Sequence, residues 1–141
     1  MHSNVTVKSI VNMAQKASGG IVISGAYENG KHIFELLQLS MIEVTCFCDN
    51  DIDKQGKLLC GIPVLSFQEA SKGYPQAIYI IASDKHKWDI KKQLNKLGVE
   101  CSNIILYGKE LYQFHSTLKE ADYEEEIQDM YYRKFGIKLI L

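Results

Sequence analysis

Two glycines, Gly25 and Gly30, stand between a short apolar run and the start of a helical pattern in "IVISGAYENGKHIFELL", residues 21–37. In a strand–turn–helix unit that binds a dinucleotide, the first glycine makes the tight turn. A second lets backbone approach the pyrophosphate, and a third permits close packing of helix on strand. Gly25 and Gly30 occupy the first and third places, and Ala26 is small. Tyr27 stands where close approach to phosphate calls for no side chain, and Glu28 and Asn29 complete the turn. An acidic residue about 20 positions on, at the end of the next strand, is the usual acceptor of a ribose hydroxyl. Asp49, followed by Asn50, falls there. Ser83 closes a later apolar strand at its carboxyl end, where ligands collect in open α/β sheets; it is equally placed to cap the helix that follows. The candidate binding set is therefore Gly25, Ala26, Tyr27, Glu28, Asn29, Gly30, Asp49, Asn50 and Ser83. These residues fit a nucleotide site, and they also fit a structural strand-to-helix corner with no ligand.

Other residues with chemical potential point nowhere as specific. Tyr27 and Lys31 spell Y-x-x-x-K, the catalytic spacing of short-chain dehydrogenases. There the pair lies on a long helix far downstream of the glycine turn, so the match here is one of spacing only. His86 would serve as a general base only if it faced the crevice, and a solvated side chain is the plainer expectation. His32 lies in the first turn of the glycine helix, in reach of a phosphate or on an exposed face, and His115 has no partner by spacing. No G-x-S-x-G, P-loop lysine or metal-binding helix motif occurs, so no catalytic residue and no metal ligand is assigned. Cys46, Cys48, Cys60 and Cys101 read as reduced, mostly buried thiols; Cys46 and Cys48 share one face of a strand, where a bridge between them is strained.

The elements that must position this set follow from apolar periodicity. Residues 5–17 suggest a short leading helix, broken at Ser18-Gly19-Gly20. Residues 21–24 form a first strand, and Ile33, Phe34, Leu36 and Leu37 mark the inner face of the helix after it. "IEVTCFC" (42–48) is a second strand, 50–57 a polar loop, and "GIPVLS" (61–66) an extended segment feeding a brief helix, "FQEASK". "AIYIIAS" (77–83) is apolar throughout, the mark of a strand covered on both faces. A helix from about Lys85 to Leu97 turns Trp88, Leu94 and Leu97 inward and stops at Gly98, and "NIILY" (103–107) is a last strand. Strands alternating with helices predict a Rossmann-like, doubly wound parallel α/β sheet of four to five strands. That unit spans residues 1–108, the leading helix included. A C-terminal helical tail, 109–141, follows as an extension or as the start of a truncated second domain; it docks on its own sheet or pairs two copies into a homodimer.

The chain has 141 residues and a net charge of −1, enough to build one buried core and no electrostatic reason to expect nucleic acid. A phosphate-bearing small ligand stays open, because helix N-terminal amides hold anions without net positive charge. The N-terminus lacks the apolar core of a secretory signal, and no run is long enough to insert in a membrane, so a cytoplasmic protein is expected.

Residues 21–70, "IVISGAYENGKHIFELLQLSMIEVTCFCDNDIDKQGKLLCGIPVLSFQEA", resemble the Rossmann-like N-terminal domain of bacterial surface-polysaccharide enzymes, the sialic acid O-acetyltransferase-type sugar acyltransferases and their relatives. Gly25, Ala26 and Gly30 match the turn, Asp49 and Asp51 the acidic strand end, Gly61, Pro63 and Val64 the G-x-P-V segment, and Ile78–Ala82 the apolar strand. The resemblance extends over about residues 20–107. It implies a nucleotide-sugar module in which Gly25–Gly30 lie against a diphosphate and Asp49 lies near a ribose or base. Tyr27 departs from the turn pattern. The hexapeptide-repeat β-helix that does the acyl transfer in those enzymes has no counterpart here. The ending "YYRKFGIKLIL" is weakly similar to the segment leading into an ATP-grasp-like domain, which implies a catalytic domain further along a parent chain.

Three functions follow as expectations. The first is a nucleotide or nucleotide-sugar binding module of cell-surface polysaccharide biosynthesis, not catalytic on its own, taking a UDP-sugar or an NAD-type dinucleotide. The second is a small NAD(P)-dependent sugar-nucleotide oxidoreductase. The third is a structural or dimerisation domain that has lost its ligand.

Overall fold

The computed structural model describes residues 19–39, 41–83 and 85–106. The leading helix expected over 5–17, the tail from 109 and His115 lie outside the described residues. Six strands and three α-helices are found among the described residues: β1 (Ile21–Ser24), α1 (Glu28–Leu39), β2 (Cys46–Cys48), β3 (Leu58–Leu59), β4 (Ile62–Leu65), α2 (Phe67–Gly73), β5 (Ile78–Ile81), α3 (Lys87–Lys96) and β6 (Ile104–Leu106). One sheet runs in the order β3-β4-β2-β1-β5-β6. Five of its strands are parallel, and β3 pairs antiparallel with β4.

Alternation along short central strands sends side chains to two separate cores. Ile21, Ile23, Phe47, Ile78, Ile80 and Ile105 face α1, where Ile33, Leu36 and Leu37 meet them. Val22, Cys46, Cys48, Tyr79 and Ile81 face the other way, against Phe67 and Ala70 of α2 and Leu94 of α3. All four residues of β1, polar Ser24 included, and of the unbroken apolar β5 are buried, as strands covered on both faces require. Tyr79 carries its polar end into the second core, and its hydroxyl is satisfied by donating to the Tyr74 carbonyl at 2.9 Å.

The sheet has one strand more than the four to five expected, and the extra one is β3. It arises between the polar loop expected at 50–57 and the extended segment expected at 61–66. Cys60 (φ 53°) and Gly61 (φ 77°) form a two-residue turn of type I′, which folds Leu58-Leu59 back on Ile62-Pro63 as a small hairpin arm. Elsewhere the elements are shorter than expected. β2 is confined to residues 46–48 because the chain leaves α1 through a left-handed residue, Met41 (φ 60°), with the Ile42 amide bonded back to the Leu37 carbonyl at 2.9 Å. Trp88 is 49% exposed, not inward as expected; Leu94 alone of that helix is fully buried, and Ile90 and Leu97 are partly so. Among the described residues no helix is long and apolar enough to cross a membrane.

Candidate functional site

β1 and β5 lie side by side at the middle of the sheet, and their connections leave on opposite faces. Their carboxyl ends therefore splay apart, and the glycine turn sits in the gap. Gly25 has φ +117°, a conformation open in practice only to glycine, and its amide donates to the Cys48 carbonyl at 2.8 Å. A Cβ on Gly30 would fall on the Gly25 carbonyl oxygen, so this glycine lets α1 begin hard against the strand it follows. The turn-making and packing roles expected of Gly25 and Gly30 are thus the roles they hold.

Tyr27 does not fill the turn. It is 57% exposed, its hydroxyl donates to Asp51 Oδ2 at 3.3 Å, and the Lys54 ammonium rests on its ring face. The Asp49 charge, then lost hydration and the Asp51 carboxylate, push the phenol above its ordinary value, so it stays protonated.

Asp49 is 6% exposed and turned toward the glycine turn. Its Oδ2 accepts the Ala26 N–H and its Oδ1 the Asp51 N–H, both at 2.8 Å. The carboxylate expected to wait for a ribose instead joins the end of β2 to the first amide beyond Gly25. Around it the segment after β2 is tightly fixed. Gln55 Nε2 donates to the Asp49 carbonyl at 2.9 Å, and the Gly56 amide to the Val64 carbonyl at 2.9 Å. Lys54 Nζ donates to the Ala26 carbonyl at 2.8 Å. Asn50 is exposed and exchanges two amide hydrogen bonds, each 3.0 Å, with Gln93 of α3.

Two clefts open at this end of the sheet, separated by Gly25, Tyr27 and Ser83. The first, about 680 Å³, has Gly25, Ala26, Glu28 and Asn29 on its floor and Leu58, Leu59 and Val64 of the hairpin arm as an apolar wall. Lys31, Lys54, Lys57 and Lys85 stand around it against one acidic side chain, Glu28, which forms an exposed 3.6 Å pair with Lys31. The second, about 510 Å³, lies toward α2 and α3 and is acidic, with Asp49, Asp51 and Asp89 beside Asn50, His86 and Gln93. Both volumes are in the range of small-ligand sites.

The expected residues thus divide. Ala26, Glu28 and Asn29 line the first cleft, Asp49 and Asn50 the second, and Gly25, Tyr27 and Ser83 border both; Gly30 supports the turn from beneath. Ser83 Oγ accepts the His86 N–H at 3.0 Å, a cap on the turn leading into α3. His86 is exposed at the mouth of the second cleft. His32, expected on an exposed face or within reach of a phosphate, is buried at 3% exposure. The thiols divide as well: Cys46 and Cys48 are buried and free, whereas Cys60 and Cys101 are exposed, against the expectation of mostly buried thiols. Among the described residues no three His, Cys, Asp or Glu side chains converge as metal ligands. Lys54, Lys57 and Lys85 were not anticipated. Lysines in a polar loop are the commonest of surface residues, and only the hairpin arm brings two of them over the glycine turn.

A family model described as C2185-like, N-terminal, matches residues 17–105. The chain belongs to this family. The match takes in every element of the C2185-like domain up to the last residue but one of β6. No curated protein matches the chain. Among solved structures, the C2185-like domain is similar to the crystal structure of UDP-D-quinovosamine 4-dehydrogenase from Vibrio fischeri. The identity is 22%, with 62% of this chain and 76% of that chain covered and a TM-score of 0.45.

Proposed function

We propose that this domain is a binding module for a nucleoside diphosphate or nucleotide-sugar, held at the carboxyl end of the sheet, with any chemistry supplied by another domain or partner. One observation carries the reading: a glycine turn at the mouth of a 12-residue helix opens into a cleft with four lysines around it, at the point where the sheet connections reverse. Setting the hairpin strand aside, the five parallel strands among the described residues follow the order third, second, first, fourth, fifth, that of the first five strands of the Rossmann sheet. Ligands of such sheets lie at this switch point, and helix N-terminal amides favour their phosphates. Cell-surface polysaccharide synthesis is the setting that the resemblance of residues 20–107 supplies.

Calorimetric titration with UDP, UDP-sugars, NAD(H) and NADP(H) tests the proposal. Heat is expected with the uridine diphosphates. Absence of heat with every one of them at millimolar concentration overturns it.

The scaffold reading also has an observation in its favour, since both Asp49 oxygens are already used by backbone amides. On that reading no nucleotide shifts the thermal unfolding of the domain.

A further inference from the structure

The first cleft differs from an ordinary glycine-turn site in where its positive charge comes from. The turn has lost its middle glycine, and the Ala26 amide is already used by Asp49. In compensation, the arm built from the β2–β4 connection brings Lys54 and Lys57 to the cleft from one side, and Lys85 comes from the segment before α3. The arm is rigid where it matters. The Lys54 and Gln55 amides bond to the Asp51 carbonyl at 3.0 and 3.3 Å, and Val64 and Lys57 are joined by a 2.8 Å backbone bond. Lys54 is further held by the Ala26 carbonyl and the Tyr27 ring, two neutral partners. An ammonium on neutral partners at the edge of an open cleft gains by exchanging one of them for an anionic oxygen, because it then adds the attraction of opposite charges to the hydrogen bond.

We infer that Lys54, Lys57 and Lys85 supply the charge that recognises phosphate in this site, beside the amides of the turn, and that the group recognised is a diphosphate. Tyr27 is a positioning residue: its exposed ring stands outside the turn and holds Lys54 at the cleft. Three ammonium groups from two segments match an anion with several charged oxygens spread over two phosphorus centres better than a single phosphate. The leucines of the arm, Leu58 and Leu59, offer the apolar side of the same cleft to whatever the diphosphate carries. This inference rests on the proposed function, and the experiment separates the two.

The chain and its Lys54→Ala, Lys57→Ala, Lys85→Ala and Lys54→Arg variants are titrated with UDP, uridine and inorganic pyrophosphate, and with orthophosphate for comparison. Circular dichroism confirms that each variant folds; Lys57 and Lys85 are exposed, so their removal leaves the core untouched. Expected are binding of UDP and pyrophosphate in preference to uridine and orthophosphate, and a loss on the order of tenfold in affinity for each alanine variant. Lys54→Arg should retain most of the binding. Tyr27→Ala should weaken binding in the parent chain and have no effect in the Lys54→Ala background, since it acts through that lysine. If UDP binds the parent and all three alanine variants equally, the lysine assignment is overturned while the nucleotide reading stands. If the parent binds neither UDP nor pyrophosphate, the nucleotide reading itself is overturned.

Discussion

Replacing Asp49 with asparagine separates a carboxylate that waits for a ligand from one that holds the turn together. In the structure both oxygens accept backbone amides at 2.8 Å, from Ala26 and from Asp51, in an almost fully buried position. Asparagine offers one acceptor and one donor in the same shape. It keeps one of the two bonds, loses the other, and sets an N–H against an amide N–H. A net hydrogen bond to a charged group stabilises by about 1.5–3 kcal/mol, and a buried amide left without a partner costs about 1–3 kcal/mol. The substitution should therefore destabilise the domain by about 2–4 kcal/mol with no ligand present. Urea unfolding followed by circular dichroism reads this directly; at a slope of about 1–3 kcal/mol per molar urea, the midpoint should fall by about 1–3 M. Asp51→Asn is the control, because its carboxylate accepts the Asp53 amide and the Tyr27 hydroxyl in exposed positions. An Asp49→Asn protein as stable as the parent would refute the reasoning: the carboxylate would then be a ligand group resting against the turn.

Gly30→Ala should destabilise by about 2 kcal/mol even though alanine is the better helix former by about 1 kcal/mol, because its Cβ meets the Gly25 carbonyl; thermal unfolding decides the sign. Met41→Gly should stabilise by about 0.5–1 kcal/mol in the same assay, since it relieves a left-handed residue on an exposed helix end. In the native protein a thiol reagent at neutral pH should modify Cys60 and Cys101 and leave Cys46 and Cys48 until unfolding, because the latter pair is buried. Burial pushes the Cys46 and Cys48 thiols up to about 12 from 9.0. Their folded values lie above the unfolded ones, so their contribution is whole below pH 9 and is lost as pH rises toward 12. The loss should amount to about 1.4 kcal/mol per pH unit per thiol. Urea titrations at pH 8 and above should show it, and Cys46→Ala should remove its share of the slope.

What could be read from the residues was whatever depends on a local pattern. The unbroken apolar run at 77–83 announced a strand covered on both faces, and β5 is that; 21–24 announced a strand, and β1 is there. Gly30 was legible because only close helix–strand packing asks for that glycine there. Asp49 was legible in position but not in its partners, since a carboxylate at a strand end serves a ribose and a backbone amide by the same chemistry. The hairpin arm stayed hidden because its turn puts a cysteine, Cys60, in a left-handed conformation usually left to asparagine or glycine. With the arm hidden, Lys54 and Lys57 could not be placed over the turn. Trp88 misled for the opposite reason: a large ring suggests a core, but the short helix α3 has room against the sheet mainly for Leu94.

The central claim concerns one location, the turn between β1 and α1, and amide chemical shifts report on locations. In a 15N-labelled sample titrated with UDP, the signals of Gly25 to Gly30, of Lys54 to Lys57 and of Ser83 should move together and saturate with a single dissociation constant. If UDP leaves those amides still, or moves only signals on the opposite edge of the sheet, the site proposed here is contradicted.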